Sequence, residues 1–288
     1  MTVGPWWQTA VFALSALGAI VVFATLDPGL AVQMALLAPF VAVFGLPHGA
    51  LDWPIAEALW PLDSWRAKLM FVALYLGLVG CVVLVWVIFP GPALIAFLTY
   101  SAIHFSEDWS NAPAGLRWSG GMATIGAPAL FHQQDVTRLF DYLAPENVAI
   151  FAAQATALTG GLALALLLVT LLCDRSARGQ AALEQVLLWS TAFVLEPLIY
   201  FAVYFCALHS MRHFTIALKS TANARRGLGM SIALSIVVIG VAAVFVASQG
   251  QIGTAASEIP DVLMQTIFIG LAALTVPHML LVDRFHRM

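Results

Sequence analysis

The sequence predicts an all-α membrane protein, a polytopic transmembrane helical bundle of about 8–10 spans. Of its 288 residues, 61% are hydrophobic and only 9% are charged, and the mean hydropathy is +0.93. A soluble domain carries about 25% charged residues, so this composition does not fit a water-facing surface. Apolar runs of about 18 residues or more recur along the chain, and each is long enough to cross a bilayer. We expect residues 1–288 to form a single integral-membrane domain.

Nine apolar stretches are candidate spans. They cover residues 6–26, 30–50, 66–89, 92–109, 118–133, 147–173, 183–221, 228–248 and 262–285. The stretch 118–133 is short and contains three glycines and Pro128, so it is the weakest candidate for a full crossing. The stretch 183–221 is too long for one crossing, because about 20 residues suffice. Pro197 within it predicts a kink or a division of the helix.

The positive residues predict how the chain is oriented in the membrane. They stand near predicted span ends at Arg66, Lys68, Arg175, Arg178, Arg225, Arg226, Arg284 and Arg287. Such residues prefer the cytoplasmic side, whereas the loop 249–261 has no Lys or Arg and fits the outside. Ten crossings with both termini in the cytoplasm satisfy this pattern, and eight leave Arg175 and Arg178 outside. We expect a multi-pass protein of the cell (inner) membrane whose first apolar run is a retained span, and we leave the count open.

Charge and cysteine content exclude other classes. The formal net charge is −3 and no basic stripe indicates a nucleic-acid partner. The three cysteines, Cys81, Cys173 and Cys206, have no spacing typical of a disulfide framework or a thiolate metal site.

The histidines carry the functional signal. His48, His104, His209, His213 and His278 fall in or at the end of apolar runs. An ionisable group inside a membrane is costly, and it usually faces the protein interior and has a function. One helix histidine alone is more often a residue that donates to a carbonyl. Several on separate spans would each need a partner in a dry medium, and a shared metal ion satisfies them together.

The spacing of His209 and His213 suits two ligands of one ion. Residues four apart lie on one helix face, one turn apart. Together with His48 and His104 they form a four-imidazole set from three helices, as bundle cores allow. Neutral imidazoles suit iron, copper, nickel or zinc. No HExxH motif is present, and a structural zinc has less rationale among apolar helices than a redox metal with open positions. The pattern therefore favours Fe²⁺.

Polar residues next to these histidines are candidates for supporting roles. Asp52 follows His48 by four residues, and Glu107 and Asp108 follow His104 by three and four. We expect Asp52 and Glu107 to orient ring nitrogens of the ligands, although acids here also mark helix ends at the interface. Arg212 either pairs with one of these acids or extends to the membrane surface. His278 either contacts substrate or oxygen, donates to an acid, or is a fifth ligand.

Four segments in this order resemble the bacteriorhodopsin-related-protein and Blh-like family of membrane β-carotene 15,15′-dioxygenases. They are FGLPHGALD, SAIHFSEDW, YFCALHSMRHF and TVPHMLL, spread over residues 44–280. The resemblance implies a multi-helix membrane fold and iron held by His48, His104, His209 and His213. It also implies symmetric cleavage of β-carotene by O₂ into two retinal molecules, which supply microbial rhodopsins. Nothing is carried over for the first 40 residues.

Three other classes stay open. A non-catalytic carotenoid or retinal carrier for opsin assembly would bind pigment without turnover. Another non-haem-iron membrane lipid oxygenase, such as a di-iron desaturase, is disfavoured because only seven histidines and no HxxHH motif occur. A bis-histidine haem protein would show a Soret band. The chain is not itself an opsin, because its only lysines, Lys68 and Lys219, lie outside the final span.

Overall fold

A computed structural model of the chain describes residues 4–23, 25–26, 28–45, 52–220, 224–251 and 259–286. The helices over these residues are α1 (Trp6–Phe23), α2 (Leu30–Phe40), α3 (Asp52–Leu59), α4 (Trp65–Ile88), α5 (Pro90–Ser106), α6 (Ala114–Phe131), α7 (Gln133–Asp141), α8 (Glu146–Cys173), α9 (Gln180–Val194), α10 (Pro197–Tyr204), α11 (Ser210–Ser220), α12 (Ala224–Gln251) and α13 (Ile259–His286). Short π-helical turns span Val41–Gly45 and Phe205–His209, and 3₁₀ turns span Glu107–Trp109 and Arg175–Ala177. The described residues contain no β-strand, so the all-α prediction is confirmed.

The chain divides into two compact units. Unit 1 comprises Met1–Leu37 and Gly91–Arg212, and unit 2 comprises Ala38–Pro90 and His213–Met288. The single membrane domain expected over residues 1–288 stays a prediction.

Five helical stretches in the described residues are long and apolar enough to cross a membrane. They are Trp6–Phe23, Trp65–Ile88, Glu146–Cys173, Leu228–Phe245 and Val262–Val282. In α4 the one buried residue is Trp86, whereas Leu74 and Val87 are 64% and 75% exposed. A helix with apolar residues exposed on all sides needs a lipid environment. The predicted multi-pass membrane character is thereby confirmed.

Close helix packing in unit 1 depends on two glycines. A Cβ added to Gly126 of α6 would lie 2.3 Å from the backbone nitrogen of Gly160 in α8. A Cβ added to Gly160 would lie 2.4 Å from the Gly126 carbonyl oxygen. Only glycine permits this approach, which is typical of helix contacts in membranes. Most of the stretch 118–133, the weakest candidate for a full crossing, lies in this α6 helix.

The long stretch 183–221 is divided, as its proline predicted. Helix α9 ends at Val194 and α10 begins at Pro197, where a missing N–H is tolerated because first-turn donors have no intrahelical partner. After α10 the π turn Phe205–His209 leads directly into α11. This division places His209 at a local irregularity of the helix.

Unit 2 is organised around α3, α4 and α13. Its core contains Ile55, Ala56, Leu62 and Leu281, with Phe71 and Tyr75 packed against them. This packing holds α3 beside the C-terminal part of α13.

Candidate metal centre

Two buried imidazoles meet inside unit 1. His104 lies near the end of α5 and His209 ends the π turn, and they are 4% and 0% exposed. Their Nε2 atoms lie 3.1 Å apart. Two ring nitrogens at this distance either share a proton or face a common ion. The rings are nearly perpendicular, with centroids 4.7 Å apart.

A third imidazole completes the group. His213 lies on helix α11, one helical turn beyond His209. Ligand nitrogens of His104, His209 and His213 all lie within 4.8 Å of one another. The HxxxH pair thus lies beside a third imidazole, and its role as a pair of metal ligands stays a prediction. The π turn before it adds a local widening that is frequent at functional sites.

Asp108 fixes the orientation of His209. The carboxylate Oδ2 of Asp108 lies 3.1 Å from His209 Nδ1 and accepts a hydrogen bond from the Tyr204 hydroxyl at 2.5 Å. A carboxylate that holds Nδ1–H leaves the lone pair on Nε2, the atom that faces His104. Metal-binding histidines usually have such a partner on their second nitrogen.

Arg212 connects this carboxylate segment to another acid. Its Nη1 donates to the main-chain carbonyl of Asp108, and its Nη2 donates to Glu184 Oε1 at 2.8 Å. All three side chains are buried. Two carboxylates and one guanidinium leave one net negative charge, whose field favours a cation at the neighbouring imidazoles.

Aromatic rings surround His209. Phe105 meets it edge-on with centroids 4.8 Å apart, and Phe205 stacks on it at 5.5 Å. Phe105 also packs edge-on against Tyr204 at 5.3 Å. These rings keep water away from the imidazole, which strengthens every electrostatic interaction there.

Unit 2 contains a second carboxylate–imidazole pair. Asp52, the first residue of α3, places Oδ1 at 2.6 Å from His278 Nδ1 in α13. Its Oδ2 accepts from the Tyr75 hydroxyl at 2.8 Å. Asp52 and His278 are both buried. Of the three roles that the sequence leaves open for His278, this contact is compatible with donation to an acid, here Asp52.

The structure brings some of the predicted residues together and separates others. His104, His209 and His213 form one group, and Arg212 lies behind it. His48 lies outside the described residues. Glu107 forms an ion pair with Arg117 in which both side chains are about one-third exposed.

Two residues that hold the group were not singled out from the sequence. Asp108 was noted beside His104, but Glu107 was preferred for the orienting role. Glu184 was not considered, although it is one of only two acids, with Glu196, in the apolar stretch 183–221. A charge in such a stretch is itself a signal, because it needs a buried partner.

The donor set fits a transition-metal ion. Three imidazole nitrogens converge, one imidazole is oriented by a carboxylate, and the surroundings carry net negative charge. Imidazole ligands suit iron, copper, nickel and zinc, so the histidine triad can bind a metal cofactor.

Comparisons with known proteins agree with one another. The family model described as Beta-carotene 15,15′-dioxygenase matches residues 40–286. A protein named Beta-carotene 15,15′-dioxygenase from an uncultured marine bacterium, 66A03, is 34% identical over 259 residues, which are 86% of this chain and 92% of the relative. A protein from Halobacterium salinarum named Probable beta-carotene 15,15′-dioxygenase Blh is 28% identical over 214 residues, 63% of this chain and 61% of that relative. No solved structure matches.

Proposed function

Because this chain belongs to the β-carotene 15,15′-dioxygenase family, we propose that it cleaves β-carotene at the central double bond with O₂. One carotene and one O₂ then give two molecules of all-trans-retinal, with one oxygen atom in each aldehyde. Membership of the family confirms the resemblance predicted from the four sequence motifs. The observation that carries the proposal is the convergence of His104, His209 and His213 inside an apolar membrane protein.

The proposed cofactor is Fe²⁺, held by His104, His209 and His213 together with His48. The first three are supported by their convergence, and His48 by the motif FGLPHGALD alone. Iron held there would supply the unpaired electrons that allow O₂ to react with a closed-shell alkene. Four imidazoles would leave room at the iron for O₂. They supply no general base, and cleavage of a hydrocarbon double bond by O₂ needs none.

The protein's own part is orientation and exclusion of water. Asp108 and Tyr204 hold His209 in one orientation, so the ligand geometry is set before substrate arrives. Phe105 and Phe205 keep the imidazoles dry. A carotenoid dissolves in the bilayer and reaches the protein from lipid, where positioning of the reacting bond lowers the barrier.

The remaining predicted residues have supporting roles in this proposal. Arg212 anchors the segment that carries Asp108. Asp52 orients His278 for a polar contact with substrate or oxygen. The sequence predicts that Glu107 orients a ligand imidazole. Because its carboxylate pairs with Arg117, we propose that its effect on the imidazoles is weaker than that of Asp108.

The proposed setting is the cell (inner) membrane, with both termini in the cytoplasm. This rests on the distribution of Arg and Lys between predicted loops. The single domain over residues 1–288 belongs to the same proposal. Retinal released into the bilayer is suited to capture by a microbial rhodopsin, and we infer that such an opsin is the consumer of the product.

The test is a product assay with labelled oxygen. The purified protein in detergent is loaded with Fe²⁺, given β-carotene under ¹⁸O₂, and the aldehydes are reduced at once to alcohols before exchange with water. We expect retinol as the product, two per carotene consumed, each carrying one ¹⁸O. Unequal fragments or intact carotene would overturn the assignment.

The same preparation separates the other classes. Bound carotenoid without turnover, in protein that contains no metal, would indicate a carrier. Two irons per chain would indicate a di-iron oxygenase. A Soret band would indicate haem.

A further inference from the structure

Glu184 of α9 is fully buried, and its carboxylate accepts three hydrogen bonds. Oε1 accepts from Thr9 Oγ1 at 2.6 Å and from Arg212 Nη2 at 2.8 Å. Oε2 accepts from Trp109 Nε1 at 3.0 Å. Burial of a carboxylate costs several kcal/mol unless such bonds compensate it. The three donors come from three different elements, so Glu184 joins segments that are far apart in the sequence.

Two of these donors adjoin the metal-binding residues. Trp109 directly follows Asp108, and Arg212 directly precedes His213. Arg212 also donates to the carbonyl of Asp108. Glu184 therefore ties the turn that follows α5 to the start of α11. The turn contains Asp108 and follows the helix of His104, and α11 follows the π turn that ends at His209.

The third donor comes from the N-terminal helix. Gln180 Nε2 donates to Thr9 Oγ1 at 2.8 Å and to the Gly4 carbonyl at 3.1 Å. Because the amide occupies an acceptor site of the Thr9 oxygen, the hydroxyl hydrogen points to Glu184. Helix α1 lies before residue 40, where the family match begins, and it nevertheless contributes to the polar network behind His209.

Charge gives Glu184 a second effect. Arg212 lies next to the segment that would hold a divalent cation, and its positive charge opposes that cation. The ion pair with Glu184 offsets this charge and leaves the negative charge of Asp108 available to the metal. In a dry interior such charges are only weakly screened.

We propose that Glu184, held by Thr9, is a positioning residue of the metal centre. Through Arg212 it fixes the main chain at Asp108, and so the orientation of His209. This inference rests on the proposed function, because it presupposes that the histidine triad binds a metal.

Four variants test the proposal. Glu184→Gln keeps the size but removes the charge, and Thr9→Val removes the hydroxyl without changing the shape. Thr9→Ser restores the hydroxyl. Thr191→Val is the matched control, because Thr191 is a buried threonine of α9 whose hydroxyl bonds carbonyls of its own helix, at Leu187 and Leu188.

The readout is the binding of Co²⁺ to metal-free protein, followed by its visible ligand-field absorption and by competition with a chelator. We expect Glu184→Gln to weaken binding about 10–100-fold, the range for groups that orient metal ligands, and to shift the absorption bands. Thr9→Val should weaken binding about 3–10-fold, and Thr9→Ser and Thr191→Val should match the wild type. Thermal unfolding of each metal-free variant identifies any variant that fails to fold.

The outcomes separate this proposal from the proposed function. If the wild type binds metal and forms retinal while folded Thr9→Val and Glu184→Gln bind Co²⁺ like Thr191→Val, the positioning role is overturned and the proposed function stands. If Glu184→Gln does not fold, Thr9→Val decides by the same comparison. If the wild type binds no metal, both proposals fail.

Discussion

The two units each contain a buried aspartate that holds a histidine and accepts from a tyrosine. In unit 1 these are Asp108, His209 and Tyr204, and in unit 2 they are Asp52, His278 and Tyr75. The local chemistry is nearly the same, but the surroundings differ. His209 has another imidazole nitrogen 3.1 Å from its Nε2, whereas His278 is not in the metal-binding group found among the described residues. In the proposed account, a carboxylate–imidazole pair orients a possible ligand, and only the convergence of further imidazoles allows a metal to bind there.

The largest expected difference in metal binding is between the variants His209→Ala and His278→Ala. His209→Ala removes a ligand, so metal binding and retinal formation should each fall by more than about 100-fold, beyond the range for groups behind the ligands. His278→Ala should retain one metal per chain while turnover falls. Metal analysis and retinal chromatography on both variants check this. If His278→Ala lost the metal and His209→Ala retained it, the metal would have to be assigned to His278 instead of His209.

The two aspartates give the next contrast. Asp108→Asn keeps the shape but weakens the hold on His209 Nδ1–H, so metal affinity should fall about 10–100-fold. Asp52→Asn should change metal affinity by less than about tenfold. It should lower turnover instead, because Asp52 is proposed to orient His278. Chelator competition with Co²⁺ measures both affinities. Equal losses in the two variants would show that both pairs serve the metal.

The two tyrosines sharpen the comparison with a smaller change. Tyr204→Phe removes one hydrogen bond to Asp108, and we expect metal affinity to fall about 3–10-fold, as for loss of a bond to a charged group. Tyr75→Phe removes the equivalent bond to Asp52 and should leave metal affinity within about twofold of wild type. The same Co²⁺ titration is the measurement. A loss confined to Tyr75→Phe would contradict the assignment of the metal to the imidazoles beside Asp108.

The smallest effect is expected at Glu107. Its partner is Arg117, and partly exposed ion pairs contribute about 0–1 kcal/mol. Glu107→Gln should change metal affinity and turnover by less than about threefold, whereas the neighbouring Asp108→Asn has a large effect. A loss as large as that of Asp108→Asn would restore the orienting role that the sequence gives to Glu107.

Much of the fold was predictable because lipid imposes a simple rule. Apolar length predicts helices, so the all-α class and the multi-pass membrane character followed from hydropathy. Pro197 predicted a kink or a division of the stretch 183–221 because proline removes a backbone hydrogen bond and clashes with the preceding turn. The close packing of Gly126 on Gly160 is a contact between distant segments, and local pattern does not encode it.

The grouping of the histidines could be predicted better than the residues that contact them. His209 and His213 were paired by helical periodicity, and the cost of buried imidazoles drew attention to His104. The choice between Glu107 and Asp108 depends on the 3₁₀ turn Glu107–Trp109, which directs adjacent carboxylates to different partners. Glu184 acts through contacts with residues 28 to 175 positions away, a range that spacing rules do not reach.

X-ray absorption at the iron edge of the Fe²⁺-loaded protein tests the central claim most directly. Imidazole rings bound to iron give a nitrogen shell with characteristic multiple scattering from the outer ring atoms, and its amplitude reports their number. We predict at least three imidazoles in the wild type and one fewer in folded His209→Ala protein that still retains iron, or loss of the iron altogether. An oxygen-only shell, or an unchanged imidazole signal in His209→Ala, would contradict the account.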